Sequence, residues 1–205
     1  MKVAVFVSGR GSNLKALIDA QKKYNKFEIT VVLSDKKNCA AFNLAKDHDI
    51  KTYNIGNDQD CISYQHISKL LLETGIELIV LAGFLKLIPE DVISNYRNRI
   101  INIHPALLPS FGGKGMYGLN VHKAVYKSSA KVSGATVHFV DLTYDTGKII
   151  AQKCVDISNV KSPEEIAERV LEVEHLLLPY VVNKIAEDKI RIIDDRVFVL
   201  DKKLE

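Results

Sequence analysis

Apolar residues in the first half of this chain come in short unbroken runs rather than in alternation. Val3–Val7 is continuous and closes on "SGRGSN"; "EITVVLSD" (28–35), "KTYNI" (51–55), "ELIVLAGF" (77–84) and "RIINI" (99–103) follow, with helix-like segments filling the intervals. Strand and helix in repeated succession predict a parallel sheet. Runs such as Leu78–Ala82 that lack a polar face fit strands covered on both sides by helices. The expected class is α/β: a three-layer, mainly parallel sheet with helices on both faces, of the Rossmann-like kind.

Beyond His104 the pattern changes. "PALLPSFGGKGMYG" (105–118) is rich in proline and glycine and predicts a long ordered loop, which in a compact domain usually carries function. "ATVHFV" (135–140) and "KIIAQKCVDI" (148–157) read as two strands separated by "DLTYDTG". A long helix is predicted from about Pro163. Ser162 and Glu165 have capping-box spacing, Pro163 takes the first helical position, and apolar residues recur at Ile166, Val170, Leu171 and Val173. Pro179 is expected to kink or end that helix. "KIRIIDDRVFVLD" (189–201) predicts a terminal hairpin turning at Asp194–Asp195. With no repeat, low-complexity segment or linker, residues 1–205 read as a single domain.

Composition narrows the function. The net charge is only +3, and lysines and arginines are scattered among acids, without the concentrated basic face of a nucleic-acid binder. Three cysteines, Cys39, Cys61 and Cys154, lie far apart, so neither a disulfide framework nor a CxxC site is written here. The first residues lack the longer apolar region and cleavage site of a signal peptide, and no stretch approaches the roughly 20 apolar residues of a bilayer span. A soluble cytoplasmic protein is expected, with neither membrane nor nucleic acid as partner.

Three places carry candidate chemistry. In "VFVSGRGSNL" (5–14) two glycines, a serine and an asparagine lie between a strand and a helix. Free backbone amides at that helix start, with Ser12 or Asn13 beside them, suit a phosphate. The loop is not Walker A, and Leu14 stands where the dinucleotide fingerprint has its third glycine. A tight turn with an asparagine cap explains the same residues. In "RIINIHPALLPS" (99–110) Asn102 and His104 interrupt a buried strand. Residues two apart share a face, so the amide and the imidazole project together, at the strand end where open α/β sheets bind ligands. Pro105 biases His104 towards extended backbone. Such a pair suits acyl-group chemistry, because the amide donates to an oxyanion and an imidazole both stabilises it and moves a proton. The alternative is a pair that only satisfies backbone groups under the loop. A cationic histidine calls for a carboxylate beside it; Asp145 is the best candidate and Asp141, in the same loop, the rival. "DTG" (145–147) also matches the aspartic-protease triplet, but one copy on an α/β chain does not make that site. His48, His66, His122, His138 and His175 show no ligand spacing, so no metal is expected. His138 reads as packing in a strand, and Glu174–His175 as a polar stripe on the long helix.

The segments "SGRGSNL", "LAGFLKLIP", "INIHPALLPSFGGKGMYG", "GATVHFVDLTYDTGKIIAQ" and "ERVLEVEHLLLP" run nearly end to end, and in them the chain resembles the phosphoribosylglycinamide formyltransferases, folate-dependent enzymes of purine synthesis. The resemblance implies one formyltransferase domain, with a nucleotide- and phosphate-binding half over 1–100 and a catalytic and folate-binding half over 101–205. Asn102, His104 and Asp145 match the family's catalytic set. Gly11, Ser12 and Asn13 match the loop that holds the phosphate of glycinamide ribonucleotide, and Glu174 a glutamate near the sugar. Leu85, Lys86, Leu87 and Ile88, with Asn102 and the loop from Asp141 to Asp145, match the folate-binding segments, which act largely through backbone.

The implied co-substrate is 10-formyltetrahydrofolate. Its formyl group would pass to the glycinamide amine by direct attack, with no covalent enzyme intermediate and no metal. The implied partners are these two small molecules, on a monomer or homodimer. The chain departs from the family in three places. "NDQDCISYQ" (57–65) has no arginine for the folate's glutamate tail, Lys86 stands where many members have arginine, and Lys114 lies in a variant loop. Of the nearest relatives, formyltetrahydrofolate hydrolase would carry an N-terminal regulatory domain and lack "GRGSN". Methionyl-tRNA formyltransferase would continue into an RNA-binding domain. Neither extension is expected here, and a sugar-phosphate sensor would not need the Asn102, His104 and Asp145 combination.

Overall fold

A computed structural model describes residues 1–200. The chain divides into two compact units, Met1–Asn102 and a second from Ile103 onward.

The first unit holds β1 (Lys2–Val7), α1 (Ser12–Tyr24), β2 (Glu28–Ser34), α2 (Ala41–Lys46), β3 (Lys51–Asn54), α3 (Tyr64–Glu73), β4 (Leu78–Leu81), α4 (Glu90–Asn95) and the start of β5 (Ile100–His104). The strands lie in the order β3-β2-β1-β4-β5 and pair in parallel. β1 is central, with Val5 opposite Val32 on one side and Val80 on the other. That position explains its unbroken apolar run: Val3, Ala4, Val5, Phe6 and Val7 are all fully buried, as strands covered on both faces require. Chain order reverses between β1 and β4. This is the switch point outside whose strand ends α/β sheets bind ligands, and both the glycine loop after β1 and the Leu85–Ile88 segment after β4 leave the sheet there. α1 buries Leu14, Leu17 and Ile18, spaced three and four apart as one helix face demands.

The second unit contains α5 (Leu119–Lys127), β6 (Val132–Phe139), β7 (Ile149–Asp156), α6 (Pro163–Ala186), β8 (Ile190–Ile193) and β9 (Arg196–Val199). β6 and β7 are antiparallel, and their register shifts between Val137 and His138; such irregularities re-aim the side chain that follows. α6 begins as its sequence predicts, with Ser162 Oγ accepting from the Glu165 N–H at 3.2 Å. The returning Glu165 carboxylate takes the N–H of Lys161 at 3.0 Å, one residue before the cap. Pro179 does not end the helix, which continues to Ala186. A helix-interior proline costs about 3 kcal/mol. Leu177, Leu178, Val181 and Val182 are buried around it, and side chains of that size contribute ~1.5–3 kcal/mol each. β8 and β9 form the expected hairpin, with Asp194 and Asp195 both at positive φ, as a two-residue primed turn requires; Asp201 lies outside the described residues. The α/β class and the mainly parallel sheet are those read from the sequence. No helix among the described residues is long and apolar enough to cross a membrane.

Candidate active site

In the first unit the glycine loop is built by its neighbours. Gly11 is the N-cap of α1 at φ 84°, and no side chain caps the helix. The asparagine cap expected from sequence is therefore not formed: Asn13 lies inside the first turn, buried, and its place as cap is taken by a left-handed glycine. A Cβ on Gly11 would lie 2.7 Å from Ala41 Cβ, so α2 presses against the loop. Gly9 is tied from the same segment, its carbonyl accepting from Cys39 Sγ at 3.2 Å and from the Ala41 N–H at 3.3 Å. Ser8 donates to Asp35 Oδ1 at 2.6 Å and accepts from the Leu85 N–H at 3.4 Å. One hydroxyl thus joins the ends of β1 and β2 to the start of the Leu85–Ile88 segment. In that segment Leu85, Lys86 and Leu87 are exposed and Ile88 is buried.

On β5, Asn102 is the Cα partner of Leu81 and is half-buried. His104 is buried at the strand's end. In the second unit His104 Nδ1 lies 3.5 Å from Asp145 Oδ2, and Nε2 donates to the Phe111 carbonyl at 2.9 Å. Asp145 Oδ2 also accepts from the Gly113 N–H at 2.8 Å, and His138 Nε2 lies 3.6 Å from Oδ1. His138 Nδ1 donates to the Phe139 carbonyl at 2.7 Å. One carboxylate therefore stands between two imidazoles, each with a backbone carbonyl on its far nitrogen. The rival acid has another task. Asp141 accepts from the Thr143 N–H and from the hydroxyls of Thr143 and Thr146, so it organises the loop that presents Asp145.

The charges follow from this packing. Burial pushes the His104 imidazolium below its ordinary range, against the Asp145 charge and the Phe111 carbonyl, which support it; His138 adds to the lowering. Burial also raises Asp145. The His138 imidazole, the His104 charge and the Gly113 N–H outweigh it and hold the carboxyl below its usual value. The site thus favours an anion at Asp145 and keeps a hydrogen-bonded imidazole beside it.

Glu174 is buried on α6, and Lys114 is exposed in the 105–118 loop. Sequence reasoning passes over His138 and Phe111. His138 has a readable signal: Thr136 and His138 repeat, in a buried strand, the polar two-apart spacing of Asn102 and His104. Thr136 Oγ1 donates to the Ala106 carbonyl at 2.6 Å and accepts from the Leu108 N–H at 3.0 Å, fastening the chain that follows His104. Phe111 acts through its carbonyl, which no side-chain pattern reveals.

Residues 1–182 match the formyl transferase family. The chain is 40% identical over 207 residues to a chloroplastic phosphoribosylglycinamide formyltransferase of Arabidopsis thaliana, covering 98% of this chain and 71% of that one. It is 36% identical to the trifunctional purine biosynthetic protein adenosine-3 of Gallus gallus, covering 94% of this chain and 19% of that one. Among solved structures it is similar to phosphoribosylglycinamide formyltransferase from Anaplasma phagocytophilum, with a TM-score of 0.88 and 36% identity over 100% of this chain and 95% of that one. The chain belongs to the formyl transferase family and is an enzyme of that class.

Proposed function

We propose that this enzyme transfers the formyl group of 10-formyltetrahydrofolate to the glycinamide amine of N1-(5-phosphoribosyl)glycinamide, giving formylglycinamide ribonucleotide in de novo purine synthesis. The observation that carries the chemistry is the buried His104 within 3.5 Å of an ionised Asp145. The amine attacks the formyl carbon and the carbonyl becomes an oxyanion, which the Asn102 amide meets as a donor and the charge of a protonated His104 stabilises. Preorganised donors of this kind are the largest single contribution in many acyl transfers. The amine nitrogen, cationic after attack, releases a proton; the departing folate nitrogen takes one as the carbon–nitrogen bond breaks. Asp145 favours the charged imidazole against its burial and orients the ring during that exchange. A resident metal has no part in this scheme, because side chains receive the developing charge.

Gly11, Ser12 and Asn13 take the substrate phosphate and Glu174 its sugar. Leu85, Lys86, Leu87 and Ile88, with Asn102 and the loop between Asp141 and Asp145, take the folate. The two small molecules are the enzyme's partners, residues 1–205 act as one formyltransferase domain in a monomer or homodimer, and three separated thiols favour the cytoplasm. The test is product formation from 10-formyltetrahydrofolate and glycinamide ribonucleotide by the purified protein. Hydrolysis of the folate without transfer, or binding without turnover, overturns the assignment.

A further inference from the structure

We propose that the Phe111 carbonyl is the fixed anchor of the His104 ring, so that Nε2 carries a proton in every state and Nδ1 is the nitrogen that gains and loses one. Phe111 is thus a positioning residue for His104. A carbonyl only accepts hydrogen bonds, so the nitrogen 2.9 Å from it must be an N–H. A neutral imidazole has one N–H, which the carbonyl claims, leaving the Nδ1 lone pair towards Asp145. The second proton therefore enters at Nδ1, 3.5 Å from Asp145 Oδ2. That longer contact has room to shift as substrate arrives, whereas the Phe111 contact is already at hydrogen-bond length.

The carbonyl's direction is built into the backbone. Phe111 has φ 57°, a left-handed conformation that bulky residues rarely adopt, and such conformations persist where neighbours over-determine them. Three clamps do so here. Leu108 donates its N–H to Thr136 Oγ1 at 3.0 Å, and its carbonyl accepts from Gln152 Nε2 at 2.8 Å. Gly112 packs so closely that a Cβ would lie 2.5 Å from Leu108 Cδ2 and 3.2 Å from Asp145 Cβ. Gly113 is held by Asp145 itself at 2.8 Å. The turn that orients the imidazole thus also seats its carboxylate partner. The titratable groups acting on His104 are Asp145 in the following loop and His138 on β6, and His104 in turn acts on His122 of α5.

The consequence for turnover rests on the formyl-transfer reading, but the ring assignment does not. Long-range proton–nitrogen correlation spectra of the full protein with nitrogen-15 histidine, assigned by His104→Gln and recorded over about pH 5 to 9, read the tautomer directly. The expected result is a His104 Nε2 that stays protonated and an Nδ1 that titrates. A neutral His104 protonated on Nδ1 overturns the proposal. Phe111→Gly, which accepts positive φ, should keep the tautomer. Phe111→Val, β-branched and averse to that conformation, should mix the tautomers and shift the pH profile. It should also lower kcat by about tenfold to a hundredfold with KM little changed, as misplacement of a reacting group does. A folded Phe111→Val with wild-type tautomer and kcat overturns it too. If the wild type makes no formylated product, the formyl-transfer reading has failed and the tautomer measurement still decides this one.

Discussion

His138 Nε2 lies 3.6 Å from Asp145 Oδ1, so the carboxylate that faces His104 through one oxygen faces a second imidazole through the other. This relationship makes Asp145 more acidic than burial alone would leave it, the nearby His138 imidazole being the largest of the influences that lower it. Removing His138 therefore raises the Asp145 carboxyl from its lowered value, since burial then acts with less opposition. His138→Ala should move the acid limb of the kcat/KM profile to higher pH. It should cost less at neutral pH than loss of His104, because Asp145 is still mostly ionised there. The check is the pH–rate profile of both proteins; an unmoved acid limb removes His138 from the site's electrostatics.

Asn102 supplies the proposed oxyanion donor and His104 the charge that stabilises it. Losing one preorganised donor typically costs ~10² to 10³ in kcat. His104→Ala and Asn102→Ala should each fall in kcat by that order, with KM for the ribonucleotide nearly constant, because neither residue is assigned to the phosphate. Steady-state formyl transfer with circular dichroism as a folding control measures this. Near-normal turnover in His104→Ala would sink the mechanism.

Gly11 is held by two independent constraints, a φ of 84° and a Cβ position 2.7 Å from Ala41 Cβ. Gly11→Ala should destabilise the protein by ~1–3 kcal/mol and raise KM for the ribonucleotide, because α1's first turn must move. The double variant Gly11→Ala with Ala41→Gly removes the Cβ–Cβ clash but leaves a 3.1 Å approach to the Ala41 Cα and the φ cost. It should recover part of both losses, and full recovery would show that packing alone dictates this glycine. Thermal unfolding and substrate titration of the three variants separate the two contributions.

The strands are legible because burial on both faces leaves no ambiguity of period. Val3–Val7 and Leu78–Leu81 cannot be mistaken for amphipathic helices of ordinary length. Legible too is the chemistry that depends on spacing along one strand, since Asn102 and His104 need no tertiary information to be placed side by side. What the sequence does not settle depends on contacts distant along the chain. Either Asp141 or Asp145 could meet His104 until the loop places Thr143 and Thr146 on Asp141. Local propensity makes Asn13 a cap, but α2 presses Ala41 against the loop and gives that position to a left-handed Gly11. Local sterics make Pro179 a kink or an end, and with Leu178 and Val182 buried around it the helix does not end there. Backbone groups such as the Phe111 carbonyl leave no trace in residue type at all.

His122 supplies a test of stability rather than of turnover. Its side chain is buried on α5 and Nδ1 has no hydrogen-bond partner. Burial first, and then the charge of His104, push its imidazolium from 6.5 down to about 4. A group with a lowered folded-state value binds its proton more readily in the unfolded chain, so its contribution is fully present above pH 6.5 and is lost as pH falls to about 4. Over that window the loss is on the order of 3 kcal/mol, since each tenfold difference in proton affinity between the folded and unfolded chain is worth about 1.4 kcal/mol. His104 and His175 are lowered as well and act in the same direction, so wild-type acid sensitivity does not isolate His122. His122→Leu does, because it removes one titration at similar volume. Urea unfolding at about pH 7.5 and 4.5 should show the variant losing less stability between the two than the wild type does. Equal losses in the two proteins would mean that His122 keeps its ordinary proton affinity in the fold.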